Sequence, residues 1–245
     1  MKNELAFYYR ALRYRYRVDP QEIQFLSKNL KRGEVAVDIG CHKGAYLYWM
    51  KRAVGAKGRV WGFEPQRKLY DYLQEHVGHK PGITIEHLGV SDQPGELSLQ
   101  VPISKRGTSP GASFSAPNLG ESRVEQVQVV TLDNYFAELD QPIRFLKIDV
   151  EGHELSVLKG AQQILSQHHP TILMECENRH LAQGSVADVF GYLLDLGYQG
   201  QFFGGNGLQP LAEFDAAMHQ QQGEGRFWEA AGYVNNFAFH QPKLI

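Results

Sequence analysis

Between residues 35 and 175 the chain switches repeatedly between short, almost wholly apolar runs and stretches whose apolar residues recur at helical spacing. No other feature restricts its fold as strongly, because an uninterrupted apolar run of strand length needs cover on both faces. Val35-Ala36-Val37-Asp38-Ile39, closed by Gly40, predicts such a strand; Tyr46, Leu47, Met50, Ala53 and Val54 then mark one face of a helix ended by Gly55. A second strand is expected over residues 59–63. It stops at Glu64-Pro65, with Pro65 placed to start a helix carrying Leu69, Tyr72, Leu73 and Val77. Further strands are predicted at 83–85, 96–101, 124–131, 143–149 and 171–175. Further helices are predicted at 132–139, along Leu155, Leu158, Ala161 and Leu165, and along Val186, Val189, Phe190, Leu193 and Leu194. Residues 233–239 read as an edge strand. The alternation implies an α/β fold: a doubly wound, mostly parallel sheet with helices on both faces, an antiparallel C-terminal edge strand and an N-terminal helix. Residues 1–30 read as a helical extension and 31–245 as a single domain, with no repeat or linker between.

Lys and Arg number 25 against 27 Asp and Glu, a formal charge of -2, so no global basic field draws nucleic acid or an anionic membrane to the chain. No apolar run reaches the 18 or so residues of a membrane span, and residues 1–20 lack the apolar stretch of a signal peptide. The two cysteines, Cys41 and Cys176, read as buried free thiols of a reducing compartment, and the expected setting is cytoplasmic. At the N-terminus Lys2, Arg10, Arg13, Arg15 and Arg17 interleave with Phe7, Tyr8, Tyr9, Tyr14 and Tyr16. Leu5, Tyr8, Leu12 and Tyr16 fall at helical spacing, which predicts a helix packed through that face with its arginines in solvent. Residues 102–122 are rich in Pro, Gly and Ser and predict a long loop containing Ser113, Phe114 and Ser115. With the N-terminal segment and residues 199–207, which contain Phe202 and Phe203, it is expected to select the substrate.

In doubly wound sheets ligands bind outside the carboxyl ends of the strands. The first such end reads Asp38-Ile39-Gly40-Cys41-His42-Lys43-Gly44. This is neither a G-x-G-x-x-G dinucleotide turn nor a triphosphate loop, which disfavours a nicotinamide oxidoreductase. A small-residue turn entered by an acid suits a ligand with an ammonium group and no phosphate. Glu64, 26 residues on at the next strand end, could accept hydrogen bonds from both hydroxyls of a ribose. S-adenosylmethionine meets both requirements; helix capping is the competing explanation for these acids.

The stretches Val37-Asp38-Ile39-Gly40 with Lys43-Gly44, Phe63-Glu64-Pro65, Val130-Thr131-Leu132-Asp133-Asn134-Tyr135 and Pro170-Thr171-Ile172-Leu173-Met174-Glu175 stand in a familiar order. With them goes Lys147-Ile148-Asp149-Val150-Glu151-Gly152-His153-Glu154 followed by Val157-Leu158-Lys159-Gly160-Ala161. In these motifs, over about residues 34–200, the chain resembles FkbM-type methyltransferases. The resemblance implies a class I S-adenosylmethionine-dependent fold and, usually, O-methylation of a natural-product, sugar or glycan hydroxyl. It further implies that Asp38, Gly40 and Gly44, with Cys41, hold the methionine end of the cofactor. Glu64 and Pro65 would meet the ribose and the backbone near Val90 and Ser91 the adenine, with Asp92 a further candidate. The family commonly has Ala-Asn where this chain has Cys41-His42, which leaves His42 open as a site residue.

Methyl transfer needs an aligned hydroxyl, a proton acceptor and exclusion of water. Asp149, at the end of a core strand, is the leading candidate to orient the hydroxyl or take its proton, and the same residue is expected beside the cofactor. Glu151 and His153 follow within a turn, where they could instead cap a helix. Lys147 lies two before Asp149 on the same strand face and could pair with it. His42 is an alternative base, and Glu175 could complete an acidic cluster. Oxygen ligands of this kind also suit magnesium, as in catechol-type O-methyltransferases, but nothing fixes a coordination spacing and no metal ligand is assigned. The rival functions are an inactive S-adenosylmethionine-binding protein on the same fold, that metal-dependent enzyme, and a nucleic-acid methyltransferase, which the charge balance and the absence of a base-flipping motif disfavour.

Overall fold

The apolar run Val35–Ile39 forms β1, buried along its whole length. The computed structural model describes residues 2–103, 111–115, 121–205, 207–230 and 232–242. The chain enters through α1 (Lys2–Arg13), a π-helical turn (Tyr14–Val18) and α2 (Pro20–Asn29), and then passes β1, α3 (Ala45–Val54), β2 (Arg59–Phe63), α4 (Arg67–Leu73) and β3 (Ile83–Glu86). β4 (Gly89–Val90), β5 (Gly95–Pro102) and β6 (Ser122–Val130) follow, and α5 (Leu132–Tyr135) leads to β7 (Ile143–Ile148). After α6 (Glu154–Lys159), α7 (Gln162–His168), β8 (Thr171–Glu175) and α8 (Val186–Asp195) come β9 (Gln199–Gly204), β10 (Gly207–Pro210), α9 (Ala216–His219) and β11 (Asn236–His240). Among the described residues no helix is long and apolar enough to cross a membrane.

Eight strands make one sheet in the order β10-β9-β11-β8-β7-β1-β2-β3, and β4, β6 and β5 make a second, smaller one. β3, β2, β1, β7 and β8 are mutually parallel, while β11 runs antiparallel to both β8 and β9 and β10 antiparallel to β9. From β1 the chain builds outward through β2 and β3, then returns to β1's other side as β7. The strand order therefore reverses between β1 and β7, which is where such sheets open a crevice for a ligand. Successive residues of a strand face opposite sides. Val35, Val37 and Ile39 pack with the α5 to α8 layer, and Ala36 with the layer of α1 to α3. Asp38 and, in register beside it, Lys147 thus lie on the face that α1 to α3 cover.

Several expectations are corrected. The C-terminal strand is antiparallel but lies inside the sheet, between β8 and β9, and β10 forms that edge. Phe237, Ala238 and Phe239 are buried one after another, as a strand covered on both faces requires. Phe202 and Phe203, from a segment for which no strand is expected, belong to β9 and are buried. The N-terminal helix forms, but on another face: Phe7 and Ala11 are buried, while Leu5 and Tyr16 are each at least 70% exposed. Phe7 packs edge-on against Tyr48, and Trp49 Nε1 donates to the Ala11 carbonyl at 2.8 Å. Arg13 and Arg17 are exposed, as expected, though at the mouth of a cavity, whereas Arg10 is partly buried against it.

The helix expected along Leu155 to Leu165 is two helices, α6 and α7, and Asp133 accounts for the break. Its N–H donates to the Gly160 carbonyl at 3.0 Å, and its carboxylate accepts from Gln163 N–H at 2.9 Å and Ile164 N–H at 3.0 Å. One residue of α5 thus serves the last turn of α6 and the first turn of α7. Of the long loop, residues 104–110 and 116–120 lie outside the described residues; Ser113 bridges to Gln100 and is fully buried. Cys41 and Cys176 are buried free thiols. Replacing Asp133 by Ala should lower stability by about 1–3 kcal/mol, the loss of two backbone caps. Urea unfolding at pH 7 reads this, and an unchanged midpoint would remove Asp133's capping role.

Candidate active site

The strand ends at the reversal carry a row of charges. Lys147, only 3% exposed, projects from β7, and its Nζ lies 2.7 Å from Asp149 Oδ2 and 5.1 Å from the centre of the Tyr46 ring. Asp38 is buried beside it on β1, and Glu175 ends the neighbouring β8 on the same face. Burial pulls the Lys147 ammonium toward deprotonation, but Asp149, Asp38 and Glu175 outweigh it and the net direction is upward. Asp38 and Glu175 move the same way. Asp38 is pushed up to about 7 by burial, with Asp149 adding and Lys147 opposing, and Glu175 rises well above its ordinary range through burial, Asp149 and Glu151. Asn235 Nδ2 donates to Glu175 Oε1 at 2.8 Å, which fixes that carboxyl against the wall.

The turn after β1 is held by backbone. Gly40 and Cys41 both donate N–H to the Phe63 carbonyl, at 3.0 and 3.1 Å, and the Asp149 N–H donates to the Ile39 carbonyl at 3.0 Å. Gly40 has φ +76°, and a Cβ there would stand 1.9 Å from the Asp149 carbonyl oxygen, so only glycine lets β1 and β7 end this close together. Glu64 is buried: Oε2 accepts from His42 N–H at 2.8 Å and Oε1 from Gln66 N–H at 2.9 Å. Burial raises it to about 8 against the pull of those two bonds.

These groups open into one cavity of about 970 Å³, whose wall includes Asp38, Gly40, Cys41, His42, Glu64, Pro65, Val90, Lys147, Asp149, Glu151 and Glu175. The structure therefore gathers most of the residues singled out in the sequence. Gly44 stays out of the cavity wall: at φ +75° it caps α3, and a Cβ there would meet Leu73 at 2.8 Å and Phe7 at 3.1 Å. Ser91 also stays outside, its N–H donating to the Val130 carbonyl at 2.9 Å and its hydroxyl bonded to Asp92 and His153. His153 turns away too, bridging Ser91 and Ser115 hydroxyls at 2.9 and 2.8 Å.

Glu151 is not a helix cap. It sits at φ +52° and meets His180 Nδ1 at 2.5 Å. Burial raises the Glu151 carboxyl; for His180 burial pulls down, but Glu151 more than reverses it. His42 is not a surface residue. It is largely enclosed, at φ +47°, and burial with Lys43 beside it lowers the imidazole to about 4, so it is neutral near pH 7. Among the described residues no group of three or more His, Cys, Asp and Glu side chains is disposed to hold a metal ion.

Several cavity residues come from segments away from the parallel strand ends, among them the three segments expected to select the substrate. Arg10, Tyr14, Asp19 and Glu22 arrive from the N-terminal helices, and Tyr46 donates from α3 to Asp19 Oδ2 at 2.9 Å. Arg179, paired with Glu177 and stacked 4.8 Å from the Trp228 ring centre, closes another side with Tyr233. Phe203 reaches the cavity from β9 and Phe114 from the described part of the long loop. Within the N-terminal segment, the i, i+3, i+7 spacing of Phe7, Arg10 and Tyr14 marks the face that carries Arg10 and Tyr14 to the cavity.

Lys147→Met would leave Asp38, Asp149 and Glu175 without their shared cation. A loss of about 3–5 kcal/mol is expected at neutral pH. Buried carboxyls with raised pKa contribute stability in acid and lose it as pH rises, so the variant's deficit should be larger at pH 8 than at pH 5 in paired urea titrations. An equal or reversed deficit would count against the cluster's charge balance.

The family described as the methyltransferase FkbM domain matches residues 38–199, more than half of the chain. Hexuronic acid methyltransferase AglP of Haloferax volcanii is 30% identical over 149 residues, which make up 58% of this chain and 56% of that protein. The chain thus matches little more than half the length of that curated relative. Among solved structures, methyltransferase FkbM from Methylobacillus flagellatus KT superposes with a TM-score of 0.51 at 18% identity, over 98% of this chain and 55% of that one, a likeness of fold. A SAM-dependent methyltransferase from Aquifex aeolicus gives a TM-score of 0.44 at 16% identity, over 91% of this chain and 88% of that one.

Proposed function

The chain belongs to the methyltransferase FkbM family, and from that premise we propose that it is an S-adenosylmethionine-dependent O-methyltransferase whose acceptor is the hydroxyl of a sugar, glycan or small natural product. Its methyltransferase domain spans residues 31–245, with 1–30 as a helical extension, and it works in the cytoplasm. The observation that carries the reading is Asp38: at the point where the strand order reverses it lines the cavity, and its buried Oδ2 has no partner among the described residues. A buried carboxylate oxygen without a donor costs about 1–3 kcal/mol or more. An ammonium group would satisfy it, and the amino-acid end of the cofactor carries one.

In this proposal Asp38 takes that ammonium, the turn Gly40-Cys41 lies against the methionine chain, Glu64 and Pro65 meet the ribose, and Val90 lies against the adenine. When bound, the cofactor supplies an electrophilic methyl group on a sulfonium centre. Asp149 is the catalytic residue. Lys147 holds one of its oxygens at 2.7 Å, leaving the other to orient the acceptor hydroxyl and receive its proton. The Glu151 and His180 pair shapes the acceptor wall, and His42, neutral at working pH, serves as a hydrogen-bonding group. Tyr14, Phe114 and Trp228 line the wall and would keep water from the reacting atoms. Of the acceptor classes, a sugar hydroxyl is favoured by the hexuronic acid methyltransferase among the relatives.

Calorimetric titration of S-adenosylmethionine at pH 8, with NAD as comparator, should give micromolar affinity for the former alone, and Glu64→Ala should weaken it by about 10- to 100-fold. No binding to the natural chain would overturn the cofactor assignment. Affinity should climb by up to about tenfold per pH unit below pH 7 and level off above it, because Asp38 near 7 must be ionised to accept an ammonium group. With a labelled methyl donor, hexuronic acids and other hydroxylated acceptors should be methylated, and Asp149→Asn should reduce turnover by about 100-fold or more. Turnover unchanged in that variant would move the base elsewhere, and a parallel assay in EDTA reads any metal requirement.

A further inference from the structure

Among the described residues, three side chains that line this cavity carry a buried polar atom without a partner: Asp38 Oδ2, Arg10 Nη1 and Nε2 of the neutral His42 ring. Two of these are of opposite, fixed character, the acceptor Asp38 Oδ2 and the donor Arg10 Nη1. Arg10 stands one turn after Phe7 and one before Tyr14, on the face of α1 that packs against the protein. That face is pinned over the turn between β1 and α3. The Phe7 ring closes on Gly44, and Trp49 holds the Ala11 carbonyl at 2.8 Å. The guanidinium is therefore held at the cavity wall, close enough to His42 for its charge to oppose protonation of that ring. Arg13 and Arg17, which also line the cavity, are exposed and can satisfy their donors with water.

A buried guanidinium nitrogen without an acceptor is costly, and its planar fork matches a carboxylate in two parallel hydrogen bonds. A phosphate would meet the same fork but brings nothing to satisfy Asp38, whereas the ammonium of a zwitterion answers it. An α-amino acid carries an ammonium and a carboxylate on one carbon, which is the complement of these two orphaned atoms. Resting on the cofactor assignment above, we infer that Arg10 binds the α-carboxylate of the methionine end of S-adenosylmethionine. The N-terminal helical extension is then part of the cofactor site, and its docking and cofactor binding support each other.

The test is calorimetric, on the full chain, with two ligands that differ only in the carboxylate: S-adenosylmethionine and decarboxylated S-adenosylmethionine. Arg10→Ala and Arg10→Gln should weaken the first by about 10- to 100-fold. Both should leave the second within about threefold of the natural chain, and Arg10→Lys, which keeps the charge without the fork, should fall between. Equal weakening of both ligands would mean that Arg10 only supports the structure. Unchanged S-adenosylmethionine binding in Arg10→Ala would overturn this assignment while leaving the cofactor standing. Failure of the natural chain to bind S-adenosylmethionine would overturn the proposed function, and this inference with it. Phosphate that displaces S-adenosylmethionine from the natural chain but not from Arg10→Ala would convert the site to one for a free anion, and would count against the inference.

Discussion

A single ammonium group, Lys147 Nζ, sits where β1, β7 and β8 end, with Asp38, Asp149 and Glu175 around it. Three carboxyls around one cation cannot all be ionised in a desolvated space without large cost, which is why Asp38 and Glu175 are held above their ordinary range. Such a cluster is poor at stabilising a fold, since an apolar row of the same volume would serve better. Under the proposed function its use is electrostatic preorganisation: a fixed cation that would orient Asp149 while leaving Asp38 able to receive a positive group from the cavity. The rest of the architecture, a glycine at the close approach of β1 to β7 and an aromatic ring over the ammonium, follows from having to hold that cluster still.

The cavity is closed by parts of the chain remote from the parallel core. α1 and the π-helical turn cover one side, and the segment around Arg226 to Tyr233 another. Both are tied to the core by polar contacts. Tyr46 holds Asp19 at 2.9 Å, and Glu177 joins Arg179 and the Tyr233 hydroxyl. Under the proposed function, the walls that would touch the acceptor are thus supplied by segments outside the parallel core and under separate constraint. The small sheet of β4, β5 and β6 does a similar service, since Phe114 packs against Gly89 and reaches the same cavity.

Asp133 shows how a residue inside a family-like motif can belong to structure rather than chemistry. It lies in the stretch from Val130 to Tyr135, yet its carboxylate accepts from two backbone N–H groups at the start of α7. Gly160 matches it, since a Cβ there would stand 2.0 Å from the Ser91 carbonyl oxygen, so this junction brings α6 against the end of β4. The region near the expected adenine position is therefore set by helix packing.

The strands β1, β2 and β8 and the parallel core could be read from apolar runs alone, because a strand covered on both faces needs no partner to declare itself. Asp38, Glu64, Asp149 and Glu175 were legible for a related reason: an acid that closes a buried run stands at a strand end, and strand ends are where this architecture opens. What the sequence could not decide is which side each long-range partner takes. Phe237 to Phe239 could have ended the sheet or entered it, and only the placement of β9 beyond it put it inside. Two apolar stripes competed on the N-terminal helix; the one that packs contains Phe7 and Ala11, because the space over Gly44 and α3 accepts it. That choice turned Arg10 from solvent to the cavity. His42 likewise reads as a plausible base until its surroundings strip the water from it. Local pattern determines which residues must leave water, whereas burial, charge and pairing at a site are properties of groups distant in the chain, and only the tertiary structure decides those.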